Sequence, residues 1–189
     1  MTERGSISLI IPHFPKLKGV DKALKRLVDS FDAYDELILV VNEGIGYGRA
    51  VNMGLKYAKG DYIIVSNNDI ELVSGTLSDM PLYGVVSVPN IIPRPRDKNP
   101  RAFFCMDRRV YENLVEKDGY FYDERFVAGY FEDDDLILRL KRDGIKIFDV
   151  DSVTIKHYGG GGMTMKQIGE QKYFNINKKQ FKEKWPNEK

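Results

Sequence analysis

The chain has 189 residues, and its 29 Lys and Arg residues nearly balance its 28 Asp and Glu residues. This length predicts one domain with a well-formed hydrophobic core. The balanced charge excludes a protein that binds nucleic acid through a strong overall positive field. The single cysteine, Cys105, excludes an intramolecular disulfide and is typical of a reducing compartment. Because the sequence also shows no signal-peptide pattern and no run of ~18 apolar residues, we expect a cytoplasmic protein.

The first part of the chain predicts alternating strands and helices. Apolar runs at residues 6–11, 37–41 and 62–65 are typical of buried strands, the first of them stopped by prolines. Between these runs, apolar residues recur at helical spacing over 21–31 and 49–59. Such alternation predicts right-handed βαβ units, a mainly parallel sheet, and ligand binding at the carboxyl ends of its strands.

Polar side chains follow two of these strands at the point where each strand ends. Asn42 and Glu43 follow the second strand, and Asn67, Asn68 and Asp69 follow the third. Since parallel strands end at the same edge of a sheet, we expect these side chains to share one rim. Asp69 could bind a hard divalent cation together with water and phosphate oxygens. A turn closed by Asn and Asp side chains is the simpler structural interpretation.

The second part of the chain predicts shorter elements. Strands are predicted at 84–88, 102–106, 145–150 and 153–157, with a helix at 108–116 and an extended loop at 90–101. The aromatic stretch 120–126 is expected to cover one side of a site. The last strand ends at His157, which is followed by four glycines. We expect one domain over residues 1–163 and a helical tail over 164–189.

Residues 129–140, with the sequence GYFEDDDLILRL, place four acids directly before an amphipathic helical pattern. Acids suit a helix N-terminus, but one is enough for capping. Four adjacent carboxylates repel one another unless a cation, a substrate hydroxyl or an arginine uses them. An over-acidic helix start is the structural alternative. Arg139 is expected to pair with Asp135 at i, i+4.

The glycine-rich segment GIGYGRAVNMG offers a second interpretation. A glycine turn between a strand and a helix, with Asp69 about twenty residues further on, resembles a dinucleotide-binding fingerprint. The spacing of that fingerprint requires a third glycine where Arg49 stands. Dinucleotide binding therefore stays a minor alternative, and the glycines more simply let the backbone turn sharply and approach a ligand.

Four blocks of the sequence, in order, resemble the GT-A-fold glycosyltransferases of family two, especially their rhamnosyltransferase-like branch. The blocks are SLIIPHF, NEGIGYGRAVNMGLKYAKGDYIIVSNND, GYFYDERFVAGYFEDDDLILRLKRDGIKI and VTIKHYGGGG. The resemblance implies the α/β GT-A fold, with a single Rossmann-like, mixed, mainly parallel sheet flanked by helices. It implies inverting transfer of a sugar from a UDP-, dTDP- or GDP-linked donor to an acceptor hydroxyl, assisted by Mn²⁺ or Mg²⁺.

The resemblance also implies roles for individual residues. Asp133 matches the catalytic base, and Asp69 and His157 match the residues that hold the metal. Asn67 and Asn68 stand where many relatives carry an acid. The residues assigned to substrate binding are Asn42, Glu43, Arg49, Asn52, Asn67, Asn68, Glu132 and Asp134.

The sequence leaves alternatives for the acceptor, for the cellular location and for whether the protein turns over its donor. The acceptor is a glycan, a lipid-linked molecule or a protein. The lysine-rich tail, with Phe181 and Trp185, is expected either to pack on its own domain or to contact the inner face of an anionic membrane peripherally. The alternative functions are a nucleotide-sugar-binding protein without turnover and a nucleotidyltransferase.

Overall fold

The computed structural model describes residues 5–15, 20–41, 44–93, 101–158 and 170–188. The strands are β1 (Ile7–His13), β2 (Glu36–Val41), β3 (Tyr62–Ser66), β4 (Ile70–Ser74), β5 (Val86–Ile92), β6 (Phe103–Asp107) and β7 (Ile147–His157). The helices are α1 (Val20–Ser30), α2 (Tyr47–Leu55), α3 (Arg108–Asp118), α4 (Glu132–Arg142) and α5 (Glu170–Lys184). Within this part of the chain, no helix combines the length and the apolar character needed to cross a membrane.

All seven strands form one mixed sheet in the order β2-β1-β3-β6-β5-β7-β4. Strand β1 is parallel to β2 and β3, and β5 is parallel to β7. Strand β6 is antiparallel to β3 and β5, and β4 is antiparallel to β7. The predicted α/β architecture is confirmed, and its parallel part is concentrated at the β2-β1-β3 edge. Because β4 and β7 run in opposite directions, the end of β7 lies beside the start of β4.

Apolar side chains cover both faces of the sheet. One core cluster joins Ile10, Val51 and Phe104 to Leu136 and Leu140 of α4. The cluster on the opposite face includes the apolar residues Leu9, Leu27, Phe103 and Ile155. Burial of Leu136 and Leu140 fixes α4 against the sheet, so the acids at its first turn are carried on a rigid element.

Several boundaries differ from the sequence predictions. Strand β1 continues through Pro12 to His13, and β5 continues through Pro89 with a shift of register against β7. A proline removes one donor from the hydrogen-bond ladder and does not by itself end a strand. The two runs predicted at 145–150 and 153–157 form the single strand β7. Strand β4 was not predicted.

The prediction of a buried second strand was wrong. Strand β2 lies at the edge of the sheet, and its Leu37 and Leu39 side chains are 39% and 43% exposed. The helix predicted to end at Gly60 ends at Leu55 instead. Glycine is needed at position 60 because a Cβ atom there would lie 2.6 Å from the amide nitrogen of Ser8.

Helix α5 packs on the segment that leads into α4. The ring of Phe181 lies 6.4 Å from that of Phe126 and 5.2 Å from that of Phe131, and Phe174 lies 5.3 Å from Phe131. The described part of α5 therefore contacts Phe126 and Phe131, and the two alternatives for the tail as a whole stay predictions. The predicted boundary between residues 163 and 164 lies outside the described residues and stays a prediction.

Candidate functional site

Asp69 and His157 meet where β3, β4 and β7 converge. Residues 67–69 form the turn between β3 and β4, and His157 ends β7 opposite Ile70 at the start of β4. This antiparallel pairing brings His157 Nε2 to 3.1 Å from Asp69 Oδ1. The amide nitrogen of Asn67 lies 3.4 Å from the same ring nitrogen. Residues that are ninety positions apart in the chain are thus neighbours because of sheet topology.

The Asp69–His157 pair fits a divalent cation. Asp69 Oδ1 is buried and accepts no hydrogen bond from any residue that the structure describes, although it faces the imidazole nitrogen. A carboxylate oxygen and a neutral imidazole nitrogen are both ordinary ligands of divalent metals. Among the described residues, no group of three or more His, Cys, Asp or Glu side chains could hold a metal ion. A cation here would therefore take its remaining ligands from water and from phosphate oxygens, as Mg²⁺ commonly does.

His13 extends this rim to the first strand. Its buried imidazole lies with Nδ1 3.3 Å from the Asn68 amide nitrogen and with Nε2 3.2 Å from Asp21 Oδ1. Asn68 is thereby linked to β1, the parallel neighbour of β3. The sequence analysis did not include His13 among the site residues. Its position at the end of a strand that shares the rim was the available signal.

The last two acids of the first turn of α4, Asp134 and Asp135, are paired with cations. Asp134 Oδ1 accepts a hydrogen bond of 2.8 Å from Arg101. Asp135 is fully buried and lies 2.9 Å from Arg139 Nε, as the i, i+4 spacing predicted. It also lies 2.6 Å from Lys184 Nζ and accepts a 2.8 Å hydrogen bond from Trp185 Nε1. The repulsion expected of four adjacent carboxylates is therefore relieved at these two positions.

The first two acids, Glu132 and Asp133, have no such cation partner among the described residues. Glu132 is buried, and its Oε2 atom has no hydrogen-bond partner among the residues described. Asp133 Oδ1 accepts a hydrogen bond of 2.9 Å from the Tyr122 hydroxyl. Burial raises the pKa of Glu132 to about 8, and the charge of Asp133 acts in the same direction. Burial also raises the pKa of Asp133 to about 7, against the lowering effects of the Tyr122 hydrogen bond and of Arg101.

Tyr47, the first residue of α2, is subject to the charges of acids from both groups. Its hydroxyl is buried without a partner in the described part of the chain, and its ring lies 5.9 Å from that of Tyr122. Burial raises the pKa of Tyr47, and the negative charges of Asp133, Glu132 and Asp69 raise it further. A neutral hydroxyl therefore lies within the electrostatic reach of all three carboxylates. The sequence analysis missed Tyr47 and treated Tyr122 only as part of an aromatic cover.

The remaining predicted site residues lie in different surroundings. The side-chain amide of Asn52 makes two hydrogen bonds to the backbone of Tyr122. Its Oδ1 accepts from the Tyr122 amide nitrogen at 2.9 Å, and its Nδ2 donates to the Tyr122 carbonyl oxygen at 2.8 Å. Arg49 is half-exposed, with its Nε 3.4 Å from Glu124 Oε2. The predicted residues Asn42 and Glu43 and the four glycines after Tyr158 lie outside the described residues.

The glycine turn before α2 approaches the loop before α4. Gly46 adopts a left-handed φ of 95°, and a Cβ atom there would lie 3.3 Å from the amide nitrogen of Ala128. At Gly48, a Cβ atom would lie 3.1 Å from the Cβ of Tyr122. Gly46 and Gly48 therefore allow the start of α2 to pack closely against Ala128 and Tyr122, which precede α4 in the chain.

Comparison with known proteins adds a sequence match and a fold match. Residues 19–81 match the family model described as "Glycosyl transferase family 2". This range contains Asp69 and ends before Asp133 and His157. No curated protein sequence matches the chain. The resemblance to family two is confirmed over these residues, and the rhamnosyltransferase-like branch stays a prediction.

The structure is similar to those of three solved proteins. It matches GalNAc-T7 with UDP, GalNAc and Mn²⁺ at a TM-score of 0.64 and 14% identity, over 81% of this chain and 43% of that one. It matches the mannosyltransferase PcManGT from Pyrobaculum calidifontis with GDP-Man and Mn²⁺ at 0.61 and 15%, over 88% and 61%. It matches S. aureus TarS 1-349 with UDP-GlcNAc at 0.59 and 15%, over 84% and 60%. The chain has the GT-A fold and spans less than two thirds of the length of each of these proteins.

Proposed function

We propose that this chain acts as a metal-assisted, inverting glycosyltransferase that moves a sugar from a nucleoside-diphosphate donor to an acceptor hydroxyl. The proposal rests on two groups of side chains whose charges both raise the pKa of the buried Tyr47: the acids Glu132 and Asp133, and Asp69, which lies 3.1 Å from His157. The GT-A fold and the family-two match over residues 19–81 support it. A reducing, cytoplasmic location suits the buried, unpaired thiol of Cys105.

In this reaction Asp133 is the general base. An acceptor hydroxyl is a poor nucleophile until a nearby carboxylate takes its proton. The hydroxyl oxygen forms a bond to the anomeric carbon, its proton passes to Asp133, and the bond to the donor's diphosphate oxygen breaks. Because the base and the leaving diphosphate lie on opposite faces of the sugar, the configuration inverts. The hydrogen bond from Tyr122 orients Asp133 and favours its ionised form.

Asp69 and His157 would hold the divalent cation, Mn²⁺ or Mg²⁺. Two of the similar structures, those of GalNAc-T7 and PcManGT, contain Mn²⁺. A bound cation supplies charge that stabilises the leaving diphosphate. Asn67 Nδ2 lies 3.4 Å from the Nε2 atom of His157, so a cation bound to that nitrogen would replace this contact.

The other predicted residues take supporting roles. Glu132, with its raised pKa, keeps a proton at neutral pH and can donate a hydrogen bond to a sugar oxygen. Asp134 holds Arg101 beside the site. Asn42, Glu43 and Arg49 are proposed to contact the donor. Asn52 supports the site through the backbone of Tyr122, and its amide is already engaged there.

A nucleotide-sugar-binding protein without turnover is the second candidate. This candidate is favoured by the small number of charged groups at the proposed metal site. Asp69 and His157 are flanked by the amides of Asn67 and Asn68, at positions where carboxylates would have added negative charge. Fewer charged ligands would bind a cation more weakly. The two candidates differ in whether the donor is consumed.

The test is a donor panel of UDP-, dTDP- and GDP-sugars with Mn²⁺ or Mg²⁺. Each donor is offered with acceptors from the glycan, lipid-linked and protein classes, and nucleoside-diphosphate release is measured. The proposal predicts release with at least one donor and its loss in Asp133→Asn. Donor binding without release would favour the binding protein, and release of pyrophosphate instead would identify a nucleotidyltransferase.

A further inference from the structure

The loop at residues 127–131 carries unusual backbone strain directly before the candidate base. Ala128, Tyr130 and Phe131 have φ values of +67°, +76° and +70°. Residues with a Cβ atom seldom adopt this left-handed region, and they persist in it only where surrounding contacts hold them. Glu132 and Asp133 follow at once, so the conformation of the loop sets where the first turn of α4 begins.

Asn177 of α5 holds this loop from behind. Its side chain is fully buried, and its Oδ1 accepts a 3.1 Å hydrogen bond from the Val127 amide. Its Nδ2 donates towards the carbonyl oxygens of Val127, Gly129 and Tyr130 at 2.9, 2.7 and 3.1 Å. Buried backbone groups need partners, and a left-handed loop cannot supply them through a regular ladder. An amide that both accepts and donates meets this need at one position.

Other α5 side chains hold the same region. Phe174 and Phe181 pack on Phe131 with ring centroids 5.3 and 5.2 Å away. One turn further along the chain, Lys184 Nζ lies 2.6 Å from Asp135 Oδ1 in the first turn of α4. The helix therefore contacts both the strained loop and the acidic turn that the loop leads into.

We infer that Asn177 is a positioning residue for Asp133, an inference that rests on the proposed function. Asn177 acts through the backbone of residues 127–130: it keeps the loop left-handed, which orients the first turn of α4 and aims Asp133 at the Tyr122 hydroxyl and the acceptor. The C-terminal helix is thus part of the machinery of the site, although it supplies no group to the reacting atoms.

The test compares Asn177→Ala with Asn187→Ala, a matched loss of an exposed amide beyond the helix. Two quantities are measured: amide hydrogen exchange at residues 127–131, and steady-state kinetics of nucleoside-diphosphate release. In Asn177→Ala we expect faster exchange in the loop with unchanged exchange in β3. We also expect a kcat lower by about 10²-fold, the effect of a misplacement of about 1 Å, with the donor KM within about twofold. Asn187→Ala should match the wild type in both.

Phe174→Leu is the milder variant if Asn177→Ala does not fold. It leaves the amide in place and loosens the contact with Phe131, so the same two changes are expected at smaller size. Unchanged loop exchange, or full kcat in a protein that is only less heat-stable, would overturn the inference. If the wild type itself releases no nucleoside diphosphate, the proposed function fails, and the exchange experiment still decides whether Asn177 holds the loop.

Discussion

The two halves of the candidate site handle charge in opposite ways. At the strand ends, Asp69 faces His157 at 3.1 Å, so a carboxylate oxygen and a ring nitrogen point at one another. At the start of α4, Glu132 is buried and Asp133 is half-buried, both have raised pKa values, and neither forms an ion pair with a cation of the described residues. The first arrangement suits a metal ion, and the second suits a proton. From this difference we propose that metal binding and proton transfer are assigned to separate structural elements.

The parts of the fold that hold the two halves in place also differ. The Asp69–His157 pair is fixed by neighbouring strands of one sheet. The environment of Asp133 depends on Tyr122 and on a strained loop held by α5. Substitutions in the two halves should therefore have separable effects, one on the binding of the metal and donor and the other on turnover.

The largest effect is expected for Asp133→Asn. An amide cannot take the acceptor's proton, so kcat should fall by about 10²- to 10⁴-fold, the usual contribution of a general base. Donor binding should stay unchanged because the proposed metal ligands, Asp69 and His157, are carried by other elements: the β3–β4 turn and the end of β7. Nucleoside-diphosphate release under saturating donor measures this, with Glu116→Gln on the exposed surface of α3 as the matched control. A kcat near that of the wild type would show that Asp133 is not the base.

Removal of the metal, or of one of its ligands, should produce the next largest effect. Chelation with EDTA should stop release, and added Mn²⁺ should restore it. In Asp69→Asn the Mn²⁺ concentration for half-maximal activity should rise by at least about 10-fold, the lower end of the cost of disturbing a metal site. A titration of activity against Mn²⁺ checks this. The same half-maximal concentration in both proteins would place the cation elsewhere.

A moderate effect on stability is expected for Glu132→Gln. The folded state keeps a proton on Glu132 up to about pH 8, whereas in the unfolded chain this carboxyl titrates near its ordinary value of 4.5. The folded state then binds more protons than the unfolded state between these pH values, so the free energy of unfolding falls as pH rises. In Glu132→Gln the free energy of unfolding does not fall in this way. Its difference from the wild-type value should therefore shift by at least ~1 kcal/mol in favour of the variant between pH 5 and pH 8, since one pKa unit corresponds to about 1.4 kcal/mol.

Urea unfolding at pH 5 and pH 8 measures the difference for Glu132→Gln. The exposed Glu116→Gln should show the same pH dependence as the wild type. If the stability difference between Glu132→Gln and the wild type is equal at both pH values, the pKa of Glu132 is not raised in the folded protein and the assignment is wrong.

The smallest effect is expected for Tyr122→Phe. The Tyr122 hydroxyl lowers the pKa of Asp133, which burial has raised to about 7. Its removal should raise that pKa further and move the acidic limb of the activity profile to higher pH by about half a unit, the equivalent of about 0.7 kcal/mol. Tyr111→Phe, whose ring lies 6.1 Å from Phe121, is the matched control. A profile that stays in place, or moves to lower pH, would contradict the role given to Tyr122.

The elements that the sequence predicted are those determined by local pattern. The apolar runs of β1 and β3, the acid-rich start of α4 and the Arg139–Asp135 pair follow from residues within one turn or one strand. The site pairing of Asp69 with His157 was expected from the family resemblance, and sheet topology brings the two together. Strand β4 was missed because a five-residue strand directly after an Asn-Asn-Asp turn gives little periodic signal.

The features that the sequence did not predict depend on distant contacts. The four acids of α4 look alike in the sequence, and their different environments come from Tyr122, Arg101 and Lys184. Strand β7 looked like two strands because polar residues interrupt it, and the register shift in β5 at Pro89 accommodates them. Only the folded chain shows which side chains reach which carboxylate.

The most direct test of the account is a calorimetric titration of Mn²⁺ and nucleotide-sugar donor into the wild type, Asp133→Asn and Asp69→Asn. If metal binding and proton transfer reside on separate elements, Asp133→Asn should bind the donor with the dissociation constant of the wild type, and Asp69→Asn should lose Mn²⁺-dependent binding. Equal weakening of donor binding in both variants would contradict that separation.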